Sequence, residues 1–169
     1  IEALVERVRH RIPVMIDPNI RPFFIQDADA YRARLERLIA MSDLVKLSGD
    51  DLEWLMPDLS HEAAAASILT RRPRVVFQTG GSAGARAHWS GEVLSAKAVR
   101  VEVADTIGAG DTFSAAILAR LASTGRLDKR AVQSLTEADL TDLLTYAARA
   151  AAVTSSRPGA DPPWLAEMG

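Results

Sequence analysis

Asp105-Thr106-Ile107-Gly108-Ala109-Gly110-Asp111-Thr112 is a glycine-rich turn that feeds directly into an apolar stretch with helical spacing, from about Thr112 through Leu121. Two glycines bracketing one alanine leave several backbone N–H groups free to converge on one point without Cβ obstruction. With a helix dipole behind them, those amides form an anion site. Asp111 stands at its floor, where the dipole favours a negative group but an anionic ligand would repel it. General-base catalysis on a hydroxyl attacking a phosphoryl group gives such a carboxylate a reason to be there. The plain alternative is that Asp111 N-caps the helix that follows. The segment lacks the Gly-Lys-Ser/Thr of a P-loop, and Phe113 occupies the last glycine position of the dinucleotide pattern.

Upstream of this turn, residues 85–104 have no helical period, carry Ser90-Gly91 as a turn and alternate through Val99, Val101 and Val103, which predicts a small antiparallel or edge element. Before it, RVVFQT (74–79) reads as a buried strand running into the glycine cluster Thr79 to Gly84. Two further strands are expected at PVMID (13–17) and DLVKLS (43–48). Helical spacing is expected over residues 1–12, through Tyr31, Leu35, Leu38 and Ile39, over DDLEWLM (50–56), and over HEAAAASILTRR (61–72) with Ser60 as N-cap. Downstream, Thr136 with Asp139 forms a capping-box pattern that opens a last helix, and Pro158, Pro162 and Pro163 pin the tail. Strands alternating with helices predict an α/β fold with a mainly parallel sheet. No repeat and no composition shift divides residues 1–169, so one unit is expected. Ile1 already lies in a helical pattern, so the sequence is expected to begin inside an element of a longer protein.

The 169 residues carry 20 Lys plus Arg against 22 Asp plus Glu, a formal charge of −2. No basic excess exists to replace phosphate counterions, which argues against a general nucleic-acid binder. The apolar runs are far short of the ~18 to 20 residues needed to span a bilayer. The absence of cysteine removes disulfides, thiolate metal sites and a thiol nucleophile together, and fits a cytoplasmic location.

Asp105 to Phe113 resembles the C-terminal signature of the ribokinase/PfkB family of carbohydrate kinases, and four other pieces follow in that family's order. Asp17-Pro18-Asn19-Ile20-Arg21 resembles the turn of its fructokinase-like members. Val45 to Ser48 with Asp51 resembles the strand and acidic turn facing the magnesium nucleotide. Thr79-Gly80-Gly81-Ser82-Ala83-Gly84 resembles the loop under the ATP phosphates and ribose, and Ser156 to Ala160 the loop closing the nucleotide and cation site. The resemblance implies a ribokinase-like three-layer sandwich of which only the C-terminal, nucleotide-side half is present, the N-terminal half being missing. It implies ATP-dependent phosphorylation of a sugar primary hydroxyl, a ketohexose in the fructokinase-like branch, with 2-keto-3-deoxygluconate as the neighbouring choice. In that mechanism Asp111 is the base, and the amides of Gly108, Ala109 and Gly110 hold the phosphoryl charge. Asn19, Arg21, Ser48, Thr79 to Gly84, Gly110 and Ala148 are the implied nucleotide-side residues. Asp51 is the implied magnesium-side acid, and Asp105 with the Ile107 carbonyl the implied site for a monovalent cation such as K⁺. The implied partners are a small-molecule sugar and, in the complete protein, a second copy as a homodimer, with no nucleic acid and no membrane.

Two departures from the family pattern stand out. Asp51 is a shorter acid than the Glu common at its position, and Ala148 falls where an Asn often lies beside adenine. Both lend weight to an alternative of another class, a nucleotide-binding or regulatory module without turnover. A nucleotide-binding oxidoreductase domain is a third reading, for which isolated glycine turns are insufficient. Asp51 also has a plain reading as a solvated first-turn acid. His10, His61 and His88 stand apart at no metal-binding spacing, Trp54, Trp89 and Trp164 read as packing residues, Arg71, Arg72 and Arg74 as a solvated helix end, and the Ala-rich helix faces as core.

Overall fold

The computed structural model describes residues 1–168. They fold as two compact units interleaved along the chain. The first comprises Ile1–Gln78, Ala87–Val93 and Asp128–Ser134, and the second comprises Thr79–Arg86, Leu94–Leu127 and the residues described from Leu135 onward. The chain passes between them within strands and short connections, so no linker-like composition marks the change.

All five strands place residues in the first unit: β1 (Met15–Ile16), β2 (Leu44–Ser48), β3 (Val75–Thr79), β4 (Ala85–Trp89) and β5 (Glu92–Ala96), paired in that order. β1 runs parallel to β2, with Met15 opposite Leu44 and Ile16 opposite Val45. Parallel neighbours need a crossover, supplied here by α2 (Ala28–Met41), while α3 (Gly49–Leu55) and α4 (His61–Leu69) connect β2 to β3. Ser90 and Gly91, both with positive φ, make the two-residue turn that folds β4 back antiparallel on β5. The fold is therefore α/β with a mixed sheet, in the expected class. β2 and β3 each bury four successive residues, apolar except for Lys46, which pairs with Asp17, and Gln78.

Against that sheet pack Leu35 and Ile39 of α2, Leu52 and Leu55 of α3, and Ala64, Ala65 and Ile68 of α4, around Val45, Leu47 and Val76. The next position of α2, Leu38, instead meets Val5 of α1 (Glu2–Val8) and Val14. α1 stops at Val8, short of the helix expected to residue 12, and the chain continues in turns closed by Val8. Ser60 caps α4 as expected, accepting from the Ala63 N–H.

Three plain readings of polar and aromatic residues change. Arg71 and Arg72 are not a solvated helix end: Arg71 meets Glu36, and Arg72 approaches the fully buried Asp43. Asp43 also accepts from the Val14 N–H and pairs with Lys129 of α6 (Lys129–Gln133). His61 and His88 are joined through Gln78 rather than isolated. Trp54 does pack, under Arg32 and edge-on to Tyr31, whereas Trp164 is 78% exposed.

In the second unit α5 (Ala109–Ser123) packs along α7 (Glu137–Ser155), burying Phe113, Ile117 and Leu121 on one helix and Leu140, Leu143, Leu144 and Ala147 on the other. The capping box at Thr136 and Asp139 forms as expected. Residues 97–104 are not a strand despite their alternation, because no strand beyond β5 stands beside them. Their far end is held by Ala104 N–H donating to the Ser155 carbonyl at 2.9 Å.

Candidate active site

α5 begins at Ala109, three residues before the expected start, so Asp111 is the third residue of the helix and not its cap. The cap position belongs to Gly108, at φ +78°, a left-handed conformation that favours glycine. A Cβ there would lie 2.8 Å from the Ala160 Cβ, so the tail packs against the bare backbone. Among the described residues, the amides of Gly108, Gly110 and Asp111 have no protein acceptor, while that of Ala109 turns back to the Thr106 carbonyl at 3.3 Å. The expected set of amides thus changes: Ala109 is engaged and Asp111 takes its place. The Asp111 carboxylate is exposed and makes no hydrogen bond or ion pair among the described residues. Free amides beside an unpartnered carboxylate are suited to holding an anion while accepting a proton.

Ala109 and Gly110 line a cavity of about 850 Å³ whose lining residues all belong to the second unit, with Gly108 and Asp111 as their chain neighbours. Thr79, Gly81, Ser82, Ala83 and Gly84 line one side of it, and Gly110 and Ala148 also face it. Gly80 does not line it; its N–H closes the loop on the Gly84 carbonyl at 2.8 Å. Gly84 has φ +91°, and a Cβ on it would stand 2.2 Å from the Ala96 carbonyl oxygen, so the strap after β5 lies directly against the loop. Only glycine fits there.

Asp105 closes the turn from the other side. One oxygen accepts the Ile107 N–H at 3.0 Å and the other the Gly159 N–H at 3.1 Å. The Ile107 bond first, and the Gly159 bond against the opposing cost of burial, hold this carboxyl below the ordinary carboxylate range.

Within the first unit, Asn19, Arg21, Ser48 and Asp51 form a cluster of a different character. Asn19 adopts φ +44°, which turns the Ile20 N–H onto Asp51 at 2.7 Å. The other Asp51 oxygen accepts the Ser48 N–H at 2.8 Å and the Ser48 hydroxyl at 2.7 Å. Arg21 is exposed and donates to the Ile20 carbonyl. Asp51 is only 3% exposed, which overturns its reading as a solvated acid. Its two oxygens accept from these three donors, which fix the orientation of the carboxylate. Asp105 is likewise engaged on both oxygens, and no group of three or more His, Asp or Glu suited to a metal occurs among the described residues.

Several cavity residues escaped the sequence reading: Lys97, Val99, Arg100, Phe113, Ala151 and Ser155. Ala148, Ala151, Ala152 and Ser155 recur at helical spacing on α7, so part of the Ala-rich face expected to be core is a cavity wall instead. The spacing was visible; what stands opposite it was not.

Comparison with known proteins identifies the family. The family described as pfkB family carbohydrate kinase matches residues 2–167. A fructokinase of Rhizobium leguminosarum bv. trifolii is 43% identical over 136 residues, covering 80% of this chain and 42% of the relative. A Klebsiella pneumoniae fructokinase is 37% identical over 119 residues, covering 70% and 39%. Among solved structures, a fructokinase with bound ATP from Xylella fastidiosa superposes with a TM-score of 0.85 at 22% identity, covering 94% of this chain and 51% of that one. An aminoimidazole riboside kinase from Salmonella enterica gives 0.83 at 21%, covering 99% and 55%. The chain spans about half the length of the proteins it matches.

Proposed function

The chain belongs to the pfkB family of carbohydrate kinases, and on that premise we propose that the protein carrying it transfers a phosphoryl group from ATP to the primary hydroxyl of a ketohexose, with fructose as the favoured acceptor. The observation that carries this reading is the start of α5. There, unpartnered amides at Gly108, Gly110 and Asp111 adjoin an unpartnered carboxylate and a cavity large enough for a nucleotide. The Asp111 carboxylate takes the proton of the sugar hydroxyl as its oxygen attacks, and the amides hold the negative charge of the group in transfer. The loop Thr79 to Gly84 lies along the nucleotide, with Ala148 on the opposite helix. The fructokinase relatives support the choice of acceptor, and the ATP-bound neighbour supports the nucleotide.

A bound Mg²⁺ would supply charge neutralisation on the phosphates, with Asp51, oriented by the Ile20 and Ser48 donors, as the proposed acid of the first unit. The Ile107 carbonyl and Asp105 form the proposed edge for a monovalent cation. No helix among the described residues is long and apolar enough to cross a membrane.

The test is ADP formation by the intact protein with Mg²⁺, ATP and a panel of sugars including fructose, ribose and 2-keto-3-deoxygluconate. Fructose should give the highest kcat/KM. A higher value for the keto-acid sugar would move the substrate assignment, and nucleotide binding without any sugar-dependent turnover would reduce the protein to a binding module.

A further inference from the structure

We infer that the cavity takes guanine nucleotides as readily as adenine nucleotides, with Lys97 and Arg100 as the side chains that read the purine edge; this rests on the nucleotide reading proposed above. The strap that carries them is held at both ends. At one end, the backbone of Ala96 to Ala98 lies against Gly84, whose missing Cβ makes the approach possible. At the other, the N–H groups of Ala104 and Asp105 both donate to the Ser155 carbonyl. Residues 97–103 are thereby stretched across the cavity, and Lys97, Val99, Arg100 and Val101 line it.

Those two cations differ from several arginines in the same unit, and unlike Arg149, likewise unpaired among the described residues, they line the cavity. Arg120 is paired with Asp142, Arg126 with Asp139, and Arg157 with Asp161 and Glu167. Lys97 and Arg100 have no ion pair or hydrogen bond among the described residues, so their donors remain available to a ligand. Across the cavity, α7 presents Ala148, Ala151 and Ala152, which bring no polar group, and Ser155, which brings a hydroxyl.

Adenine and guanine differ at the position that side chains read most sharply. Adenine offers an exocyclic amino donor there and wants a carbonyl or carboxylate acceptor, as Asn, Gln, Asp or Glu provides; guanine offers O6 beside N7, both acceptors, and suits Arg or Lys. None of the residues lining the cavity is Asn, Gln, Asp, Glu or His. Its charged donors are a guanidinium and an ammonium, its hydroxyls can serve either base, and peptide groups supply donors and acceptors alike. The side chains thus contain nothing that prefers adenine, and they contain two groups that complement guanine.

The experiment measures dissociation constants of the intact protein for Mg·ADP and Mg·GDP by calorimetry, in the parent and in Lys97→Met and Arg100→Met. The two nucleotides should bind the parent within about threefold of each other, and Arg100→Met should weaken GDP by about tenfold while changing ADP by less than threefold. A preference for ADP of thirtyfold or more would overturn the inference and leave the nucleotide site standing. Equal weakening of both nucleotides by the substitutions would show that the cations hold phosphates, and no change in either would show that they touch no nucleotide; both results overturn the assigned role. Failure of both diphosphates to bind would remove the nucleotide reading itself, and the inference with it.

Discussion

Asp51 and Asp111 occupy the same place in their helices, the third residue of α3 and of α5, yet they live opposite lives. Asp51 follows a serine cap and is bound by three donors in a buried setting. Asp111 follows a glycine cap, faces solvent and meets no partner among the described residues. The difference lies three residues upstream. Ser48 offers a hydroxyl and an extended backbone whose N–H points back at the acid, so the pair closes as a capping box. Gly108 has no hydroxyl, and its left-handed backbone forms no such box. A cap residue therefore decides whether a first-turn acid is consumed in holding the fold or left over for chemistry.

The largest expected effect comes from removing the charge of the free acid. Asp111→Asn in the intact protein should lower kcat by about 10² to 10⁴ while shifting stability by less than about 0.5 kcal/mol. Parent-like turnover at equal stability would return Asp111 to the status of a surface residue. For the bound acid the pattern should invert. Asp51→Ala strands the Ile20 and Ser48 N–H groups in the interior, and denaturant unfolding should show a loss of about 3 kcal/mol; a loss under about 1 kcal/mol would mean that the turn at Asn19 finds other acceptors.

Exchanging the caps sharpens the contrast. Gly108→Ser places a β-carbon against Ala160 and strains a positive φ, costing about 1 to 2 kcal/mol, and offers Asp111 a hydroxyl to bind. Activity should fall further than stability alone explains, measured as kcat on the folded fraction. The reverse change, Ser48→Gly, removes the hydroxyl from Asp51 and should cost about 1 kcal/mol by denaturant melt.

The smallest effect belongs to Asp105. Its carboxyl sits below the ordinary range because the Ile107 and Gly159 N–H groups favour the ionised form. That stabilisation is complete above the unfolded carboxyl's pKa of about 4 and is lost as pH falls through the lower folded value. Asp105→Asn should therefore be less stable than the parent at pH 7, with the gap narrowing as pH falls below about 4 in paired thermal melts. A gap independent of pH would assign the loss to shape alone.

Much of this site was legible in the sequence because glycine is a strong local signal. The turn at Gly108 to Gly110, the loop at Thr79 to Gly84 and the strands flanking them need no distant partner to be recognised. The fate of Asp51 does: its burial depends on an amide 31 positions earlier in the chain, turned inward by a non-glycine residue with positive φ. The start of α5 was placed late for a local reason, since Ala109, Gly110 and Asp111 continue the helix backward from Thr112 and glycine is a weaker cap signal than serine or aspartate. Of the antiparallel element expected over residues 85–104, β4 and β5 form and the strap after them does not, because the alternation of its valines is real while its path is set by Gly84 and Ser155, which no periodicity links to it.

The second unit contains one buried polar contact with no charge and no ligand to serve. The hydroxyls of Thr112 and Thr154 meet at 2.9 Å, and Thr154 also reaches the Ala150 carbonyl at 3.4 Å. Thr112 lies in the first turn of α5 and Thr154 nearly ends α7, so the pair gives two antiparallel helices a common datum at one end. Sliding either helix by a residue would part the two hydroxyls and leave Thr154 only its long bond to the Ala150 carbonyl of its own helix, a displacement the interior resists. Thermal spreading of the pair is then concentrated at the opposite end, around the turn at Thr124 and Gly125, where exposed backbone opens first. The helix pair has a thermally quiet end and a soft one, and the amides at Gly110 and Asp111 ride on the quiet end.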